Sequence, residues 1–348
     1  MDKKTGCLVG CLGMIAAVMA IPAGLVVLVL ILAVAASSSI NFDESASIAF
    51  GSDIPESGRP MQKVWIGGEG DEGSPKILRV KIDGVIADVP EGLFGREKAS
   101  AISALKKIRA ATKDDDLRGL YLVIDSPGGE VTLSDVIADA VQRFKNSGEG
   151  RFVVVEMGAL CCSGGYYIAA GADRIVAHPT TITGSIGVLM SSVNAADLAR
   201  KIGIESVVIA TGENKAMLDP LKPVDPGHVE ILRKAVDADY ERFLSVVSKG
   251  RKLPVDKIRP LADGRIFSAE EAKELKLVDE IGYAEDVEAL VAKMAKSEAV
   301  RIYRYKDDTT LRDIFNDSFF SSQGMSRTLR LVSGDVVHGG PAFMTGVK

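Results

Sequence analysis

The sequence predicts a layered α/β domain held behind an N-terminal membrane-spanning helix, and three observations carry that expectation. From residue 76 onward, short β-branched runs alternate with helical segments, a pattern that favours a largely parallel sheet covered by helices. One of those segments places its apolar residues at helical spacing. Near the N-terminus, 31 consecutive residues from Gly6 to Ala36 carry no charge.

That uncharged run exceeds the roughly 20 residues a helix needs to cross a bilayer. Lys3 and Lys4 precede it and Asp43 and Glu44 follow it, so the positive-inside rule keeps residues 1–5 in the cytoplasm and exports everything after about Ser37. The expected location is thus the cell membrane, single-pass, with the bulk of the chain extracytoplasmic and the lipid bilayer as a partner. "AVA" at 33–35 resembles a signal-peptidase site, but the apolar run is longer than the h-region of a cleaved signal. Residues 37–75, rich in Ser, Gly, Pro and acidic residues, read as a flexible tether. Within them "GEGDEG" (68–73) fits G-x-G-x-x-G by letter, yet it precedes a strand, and its acids repel phosphate.

Next come the elements of the domain, expected to span 76–298. "KILRVKI" (76–82), "GLYLVID" (119–125), "RFVVVEM" (151–157), "RIVAH" (174–178) and "ESVVIA" (205–210) read as strands. Leu133, Val136, Ile137, Ala140, Val141 and Phe144 form one apolar helical face, and a second helix is expected over 98–112. Residues 225–294 read mostly as helix, broken near "KGRKLP" and "DGRIF". Residues 299–348 form a C-terminal extension in which Leu311, Ile314, Phe315 and Phe319 can share a helical face. Its end, "GGPAFMTGVK", is small and apolar enough to lie in a peptide groove.

Composition narrows the chemistry. A net charge of −5 and 5% aromatic residues offer neither a basic stripe nor a stacking platform, which argues against nucleic acid as a partner. Cys161 and Cys162 are adjacent, a spacing unsuited to a zinc site, and read as small buried packing residues. With three histidines in the chain, no multi-histidine metal centre is expected.

Two glycine-rich turns each end a predicted strand. In "IDSPGGEVTLSDVI", Gly128 and Gly129 make either a tight turn alone or one that aims backbone N–H groups at developing negative charge. In "CCSGGYYIAAGA" (161–172), Ser163 is either the N-cap of a helix or a nucleophile with the Gly164 N–H aimed at its oxyanion. A nucleophilic serine needs a base. No G-x-S-x-G elbow is present, and His178 in "AHPTT" gives thin support for a histidine. A lysine serves if burial lowers its pKa from about 10.4 toward 7–8, a differential cost of roughly 4 kcal/mol. Lys215 in "TGENKAMLDPLKP" has small and apolar neighbours, whereas its competitor Lys222 sits between two prolines like a turn residue.

"DSPGG" (125–129), "SGGYYIA" (163–169), "TGSIGV" (183–188) and "ADGRIFSAEEAKELKLVDEIG" (262–282), in that order, resemble the signal peptide peptidase A family of membrane-anchored Ser–Lys proteases in its short, single-repeat form. The resemblance implies a crotonase/Clp-peptidase-like fold, Ser163 as nucleophile, Lys215 as general base 52 residues later, Ser185 as the residue that orients the lysine, and Gly129 and Gly164 as oxyanion-hole donors. It further implies cleavage of remnant signal peptides or other membrane-associated peptides, a homo-oligomeric ring, and no metal or cofactor. The chain departs from the family at Cys161 and Cys162, where alanine-type residues are usual. It departs again after Lys215, where "KAMLDPLK" lacks the usual acid. A catalytically silent membrane scaffold of the same fold is the alternative from a different class. An acyl-CoA enzyme on that fold is disfavoured by the exported location.

Overall fold

The uninterrupted aliphatic runs become the centre of one sheet. The computed structural model describes residues 61–88 and 101–306, and nine strands occur there: Lys63–Gly67 (β1), Lys76–Asp83 (β2), Leu117–Ser126 (β3), Phe152–Cys162 (β4), Arg174–Ala177 (β5), Ile182–Gly184 (β6), Ile266–Ser268 (β7), Glu280–Ile281 (β8) and Arg301–Tyr305 (β9). Their order is β1-β9-β2-β3-β4-β5-β8, with β6 on the end of β4 and β7 on β6. β2, β3, β4 and β5 pair in parallel, as do β9 with β2 and β5 with β8. β1 with β9 and β6 with β7 are antiparallel.

Strand periodicity sends alternate side chains to two cores. Leu120, Leu122 and Ile124 enter the larger one, with Val153, Val155 and Met157 of β4. It is covered by the helices Ala101–Thr112 (α1), Val131–Asn146 (α2) and Gly164–Ala169 (α3). Tyr121, Val123 and Val154 face the smaller core. The expected apolar face of α2 is the one that packs: Leu133, Ile137, Ala140, Val141 and Phe144 are buried. Ala196–Lys201 (α4) follows β6. The long helix Pro226–Arg251 (α5) starts at a cap in which Asp225 accepts the Gly227 N–H. Toward its far end it buries Phe243, Leu244 and Val247. There Arg251 makes a two-pronged ion pair with Asp279 (2.7 and 3.1 Å), whose carboxylate also accepts the Ile175 N–H. Such a pair is geometrically specific, and it ties α5 to β5. Val255–Ile258 (α6), Ala269–Glu274 (α7) and Ala284–Met294 (α8) complete the helices among the described residues, with α8 lining the smaller core.

Three findings differ from the sequence reading. "ESVVIA" is not a strand: residues 204–210 have no ladder partner among the described residues, and Val207 and Ile209 are 80% and 98% exposed. β-propensity describes fit to a half-buried pleated surface, and no strand among the described residues pairs with this segment to supply one. β1 lies within the stretch read as tether, and β9 lies within the stretch read as C-terminal extension; the two strands find each other across the whole domain. β4 runs beyond Met157 to Cys162, changing partners on the way. The predicted membrane span (6–36), most of the tether and the apolar residues of the extension from Leu311 onward lie outside the described residues. Among the described residues no helix is long and apolar enough to cross a membrane.

Candidate active site

Ser163 stands where β4 turns into α3. Its φ of 49° and ψ of −119° are costly for an L-residue, of order 1–3 kcal/mol, so the surrounding structure must impose them. The Ser163 N–H donates to the Gly184 carbonyl (2.9 Å), and the Ser163 carbonyl accepts the Tyr167 N–H (2.8 Å). Although Ser163 occupies the N-cap position, its side chain makes no capping bond. The hydroxyl is thus left to other chemistry.

The first glycine turn packs directly against this serine. Gly128 has a φ of 101°, and a Cβ built on it would lie 2.7 Å from the Ser163 Cβ and 2.8 Å from the Gly164 nitrogen. Ser126, fully buried, accepts the Gly128 N–H through its hydroxyl (3.1 Å), which holds the turn. Ile86 bridges the next step, donating to the Gly128 carbonyl and accepting from the Glu130 N–H (2.9 and 2.7 Å). This pattern leaves the intervening Gly129 N–H without a backbone acceptor among the described residues. Gly164, at the first position of α3, likewise has no intrahelical acceptor for its N–H. A Cβ on Gly164 would lie 3.4 Å from the Gly129 nitrogen, so the two N–H groups are neighbours beside Ser163.

Ser185 is brought to the same place. Cys162 and Gly184 are register partners, so the residues that follow them, Ser163 and Ser185, leave adjacent strand ends side by side. Ser185 also has a positive φ (50°), and its N–H donates to the Arg265 carbonyl (2.8 Å). Cys161 is fully buried, and burial pushes its thiol well above the usual range; burial raises the Cys162 thiol too. In both, burial disfavours the thiolate that reactivity requires. His178 is engaged elsewhere, with Nε2 3.0 Å from Glu156 Oε1.

Lys215 is the predicted site residue that the described residues leave exposed. It sits on an exposed 3₁₀ turn, Glu213–Ala216, and its side chain makes no hydrogen bond among the described residues. The segment around it leaves Leu189, Val193, Ile202, Val207 and Ile209 more than half exposed. The burial that the sequence reading demands of this lysine is not supplied within the described part of one chain. A cavity of about 680 Å³ opens beside the turn, lined by Leu189, Met190, Leu218, Val224, Val229 and Leu232 among others. Lys222, the competing base, also borders it.

The sequence profile of Peptidase family S49 matches residues 145–301, a span that holds Ser163, Gly164, Ser185 and Lys215. A chain of Enterococcus faecium that bears the SppA signal peptide peptidase name is 36% identical over 236 residues, covering 68% of each protein. A chain of Methanocaldococcus jannaschii named as a protease is 32% identical over 249 residues, 72% of this protein and 78% of that one. The chain belongs to peptidase family S49. Protease 4 of Haemophilus influenzae is 32% identical over 261 residues, although the match spans 40% of that longer protein. The mixed α/β architecture with its central sheet fits the S49 assignment. Within this S49 peptidase, reading the sequence alone missed the part played by Gly128. Its signal was present in "DSPGG", where a glycine after Ser-Pro can take the positive φ of 101° that Gly128 adopts.

Proposed function

We propose that this S49 peptidase is a membrane-anchored serine endopeptidase that hydrolyses remnant signal peptides or other membrane-associated peptides through a Ser163–Lys215 dyad. The observation that carries the reading is the convergence of a strained serine with the neighbouring N–H groups of Gly129 and Gly164. Neutral Lys215 takes the proton of Ser163, whose oxygen attacks the peptide carbonyl. The two N–H groups hold the oxyanion, each worth about 2.7–4 kcal/mol. Lys215 then protonates the leaving amine and activates the water that releases the acyl group. Ser185, beside Ser163, orients the lysine. The apolar lining of the cavity next to Ala216 suits small or apolar substrate side chains. The uncharged N-terminal run supports an anchor, with the peptidase on the extracytoplasmic side. The crotonase/Clp-like fold implied by the motifs is consistent with the parallel β2–β3–β4–β5 core.

A fluorophosphonate probe separates this reading from a silent scaffold. Applied to the full chain in detergent, it is expected to label the peptide containing Ser163. A folded protein that takes no label, or takes it elsewhere, favours the scaffold.

Assembly follows from the same reading. Several large apolar residues between Leu189 and Ile209 are exposed, as at association surfaces, and their packing between copies of the chain would supply the burial that Lys215 needs. Light scattering of the full chain in detergent is expected to give a multiple of the chain mass. Val207→Asp with Ile209→Asp should shift it toward the monomer and lower turnover together. An unchanged mass would show that the contact between copies lies elsewhere.

A further inference from the structure

The strand that delivers Ser163 does not run straight to it. β4 pairs with β3 in register from Gly119↔Phe152 to Ile124↔Met157, but the next pair is Ser126↔Cys161. Two residues advance on β3 while four advance on β4, so two extra residues are accommodated within Gly158-Ala159-Leu160. Beyond them β4 leaves β5 and pairs with β6, Leu160↔Ile182 to Cys162↔Gly184. That change of partner places the Ser163 N–H on the Gly184 carbonyl.

Side chains add to the pairing with β6 in holding the backbone through this detour. Asp125 Oδ1 accepts the Leu160 N–H (3.0 Å). The same side chain packs on Gly158 so closely that a Cβ there would lie 2.8 Å from the Asp125 Cγ. From the other side Thr181, 1% exposed, donates its hydroxyl to the Gly158 carbonyl (2.7 Å) while accepting the His178 N–H (2.9 Å). Thr183 donates to the Cys161 carbonyl (2.6 Å). An aspartate next to a serine hydrolase site invites reading as a catalytic acid, but among the described residues Asp125 makes no hydrogen bond to Ser163, Ser185 or Lys215, and its Oδ1 is taken by the Leu160 N–H.

We infer that Asp125 is a positioning residue for the nucleophile, acting with Thr181 as a two-sided clamp that sets the register of the last residues of β4. The inference rests on the reading of Ser163 as the nucleophile. Its physical basis is strand periodicity: a slip of one residue turns every side chain to the opposite face. Here a slip would carry Ser163 away from Gly128 and the Gly129 and Gly164 N–H groups. The clamp needs a hydrogen-bond acceptor at position 125, not a negative charge.

The test compares Asp125→Asn, Asp125→Ala and Thr181→Val in the full chain, with kcat, KM and the pH profile measured on a small apolar peptide ester and with active sites counted by fluorophosphonate. Asp125→Ala is expected to lower kcat per labelled site by about 100-fold, the scale of a misplacement of about 1 Å, while KM stays close to that of the unmodified chain. Asp125→Asn should restore kcat to within about fivefold, the value of one net hydrogen bond, with an unaltered pH profile. Thr181→Val should repeat the kcat loss in milder form. Asp125→Asn as inactive as Asp125→Ala would overturn the proposal in favour of a required carboxylate. So would Asp125→Ala at full kcat while Ser163→Ala is inactive. Should Asp125→Ala fail to fold, Thr181→Val decides, because a lowered melting temperature with full kcat also overturns the clamp. Turnover surviving in Ser163→Ala is a different result, one that removes the nucleophile assignment itself.

Discussion

Ser163→Ala and Lys215→Ala are each expected to lower hydrolysis of a small apolar peptide ester by about 10⁴-fold or more, the scale seen when one member of a catalytic unit is removed, with both proteins still folded. The first loss follows from geometry within the chain. Ser163 is held at a φ of 49° beside two N–H groups with no backbone acceptor among the described residues, and alanine retains that scaffold while deleting the attacking oxygen. The second loss has a different origin. Lys215 is exposed on its 3₁₀ turn, so its removal costs little folding energy, and an effect on turnover reports chemistry. Circular dichroism and thermal unfolding of each variant alongside the rate check the folded state. Retained turnover in either variant would sink the dyad. Lys222→Ala should be mild, because that side chain borders the cavity without a motif to place it. A loss equal to that of Lys215→Ala would show that Lys222 is the base.

Gly128→Ala should displace the nucleophile itself. Gly128 has a φ of 101°, and the added carbon would sit 2.7 Å from the Ser163 Cβ, 2.8 Å from the Gly164 nitrogen and 3.0 Å from the Cys162 carbonyl oxygen. Two of these neighbours are backbone atoms and cannot rotate away. Either the turn or the serine must shift, and a shift of about 1 Å costs about 100-fold in rate. The expected result is a fall in kcat of that order, with a lower melting temperature from the left-handed strain. Gly67→Ala is the control, since nothing lies within 4 Å of a Cβ there. Equal rates for the two variants would mean that Gly128 does not set the position of Ser163.

Much of the fold was legible because the relevant physics is local. The aliphatic runs of β2 to β5 and the apolar stripe of α2 announce themselves by composition and period. "ESVVIA" carries the same β-branched signal and still forms no strand, because a strand is defined by a neighbour that the segment itself does not contain. β1 and β9 failed in the opposite sense. "KVWIG" and "RIYRY" are short, lie in polar surroundings and become strands by pairing across more than 230 residues of chain. At the site, "DSPGG", "SGGYYIA" and "TGSIGV" marked Gly129, Ser163, Gly164 and Ser185 as motif residues. The clamp by Asp125 and Thr181 was hidden, since it depends on a register shift between strands.

By itself the sequence determined the alternation of strands and helices, the uncharged N-terminal run, and a serine with glycines and a lysine with small neighbours in motifs resembling one peptidase family. These properties follow from side-chain type and short-range spacing. The tertiary structure decided which glycine contacts the serine, that the Gly129 and Gly164 N–H groups lie side by side, and that Lys215 stands exposed in the described chain. Those facts depend on strand register and on positive-φ turns imposed by packing. A change of one residue in register moves an entire face, and no local pattern encodes that choice.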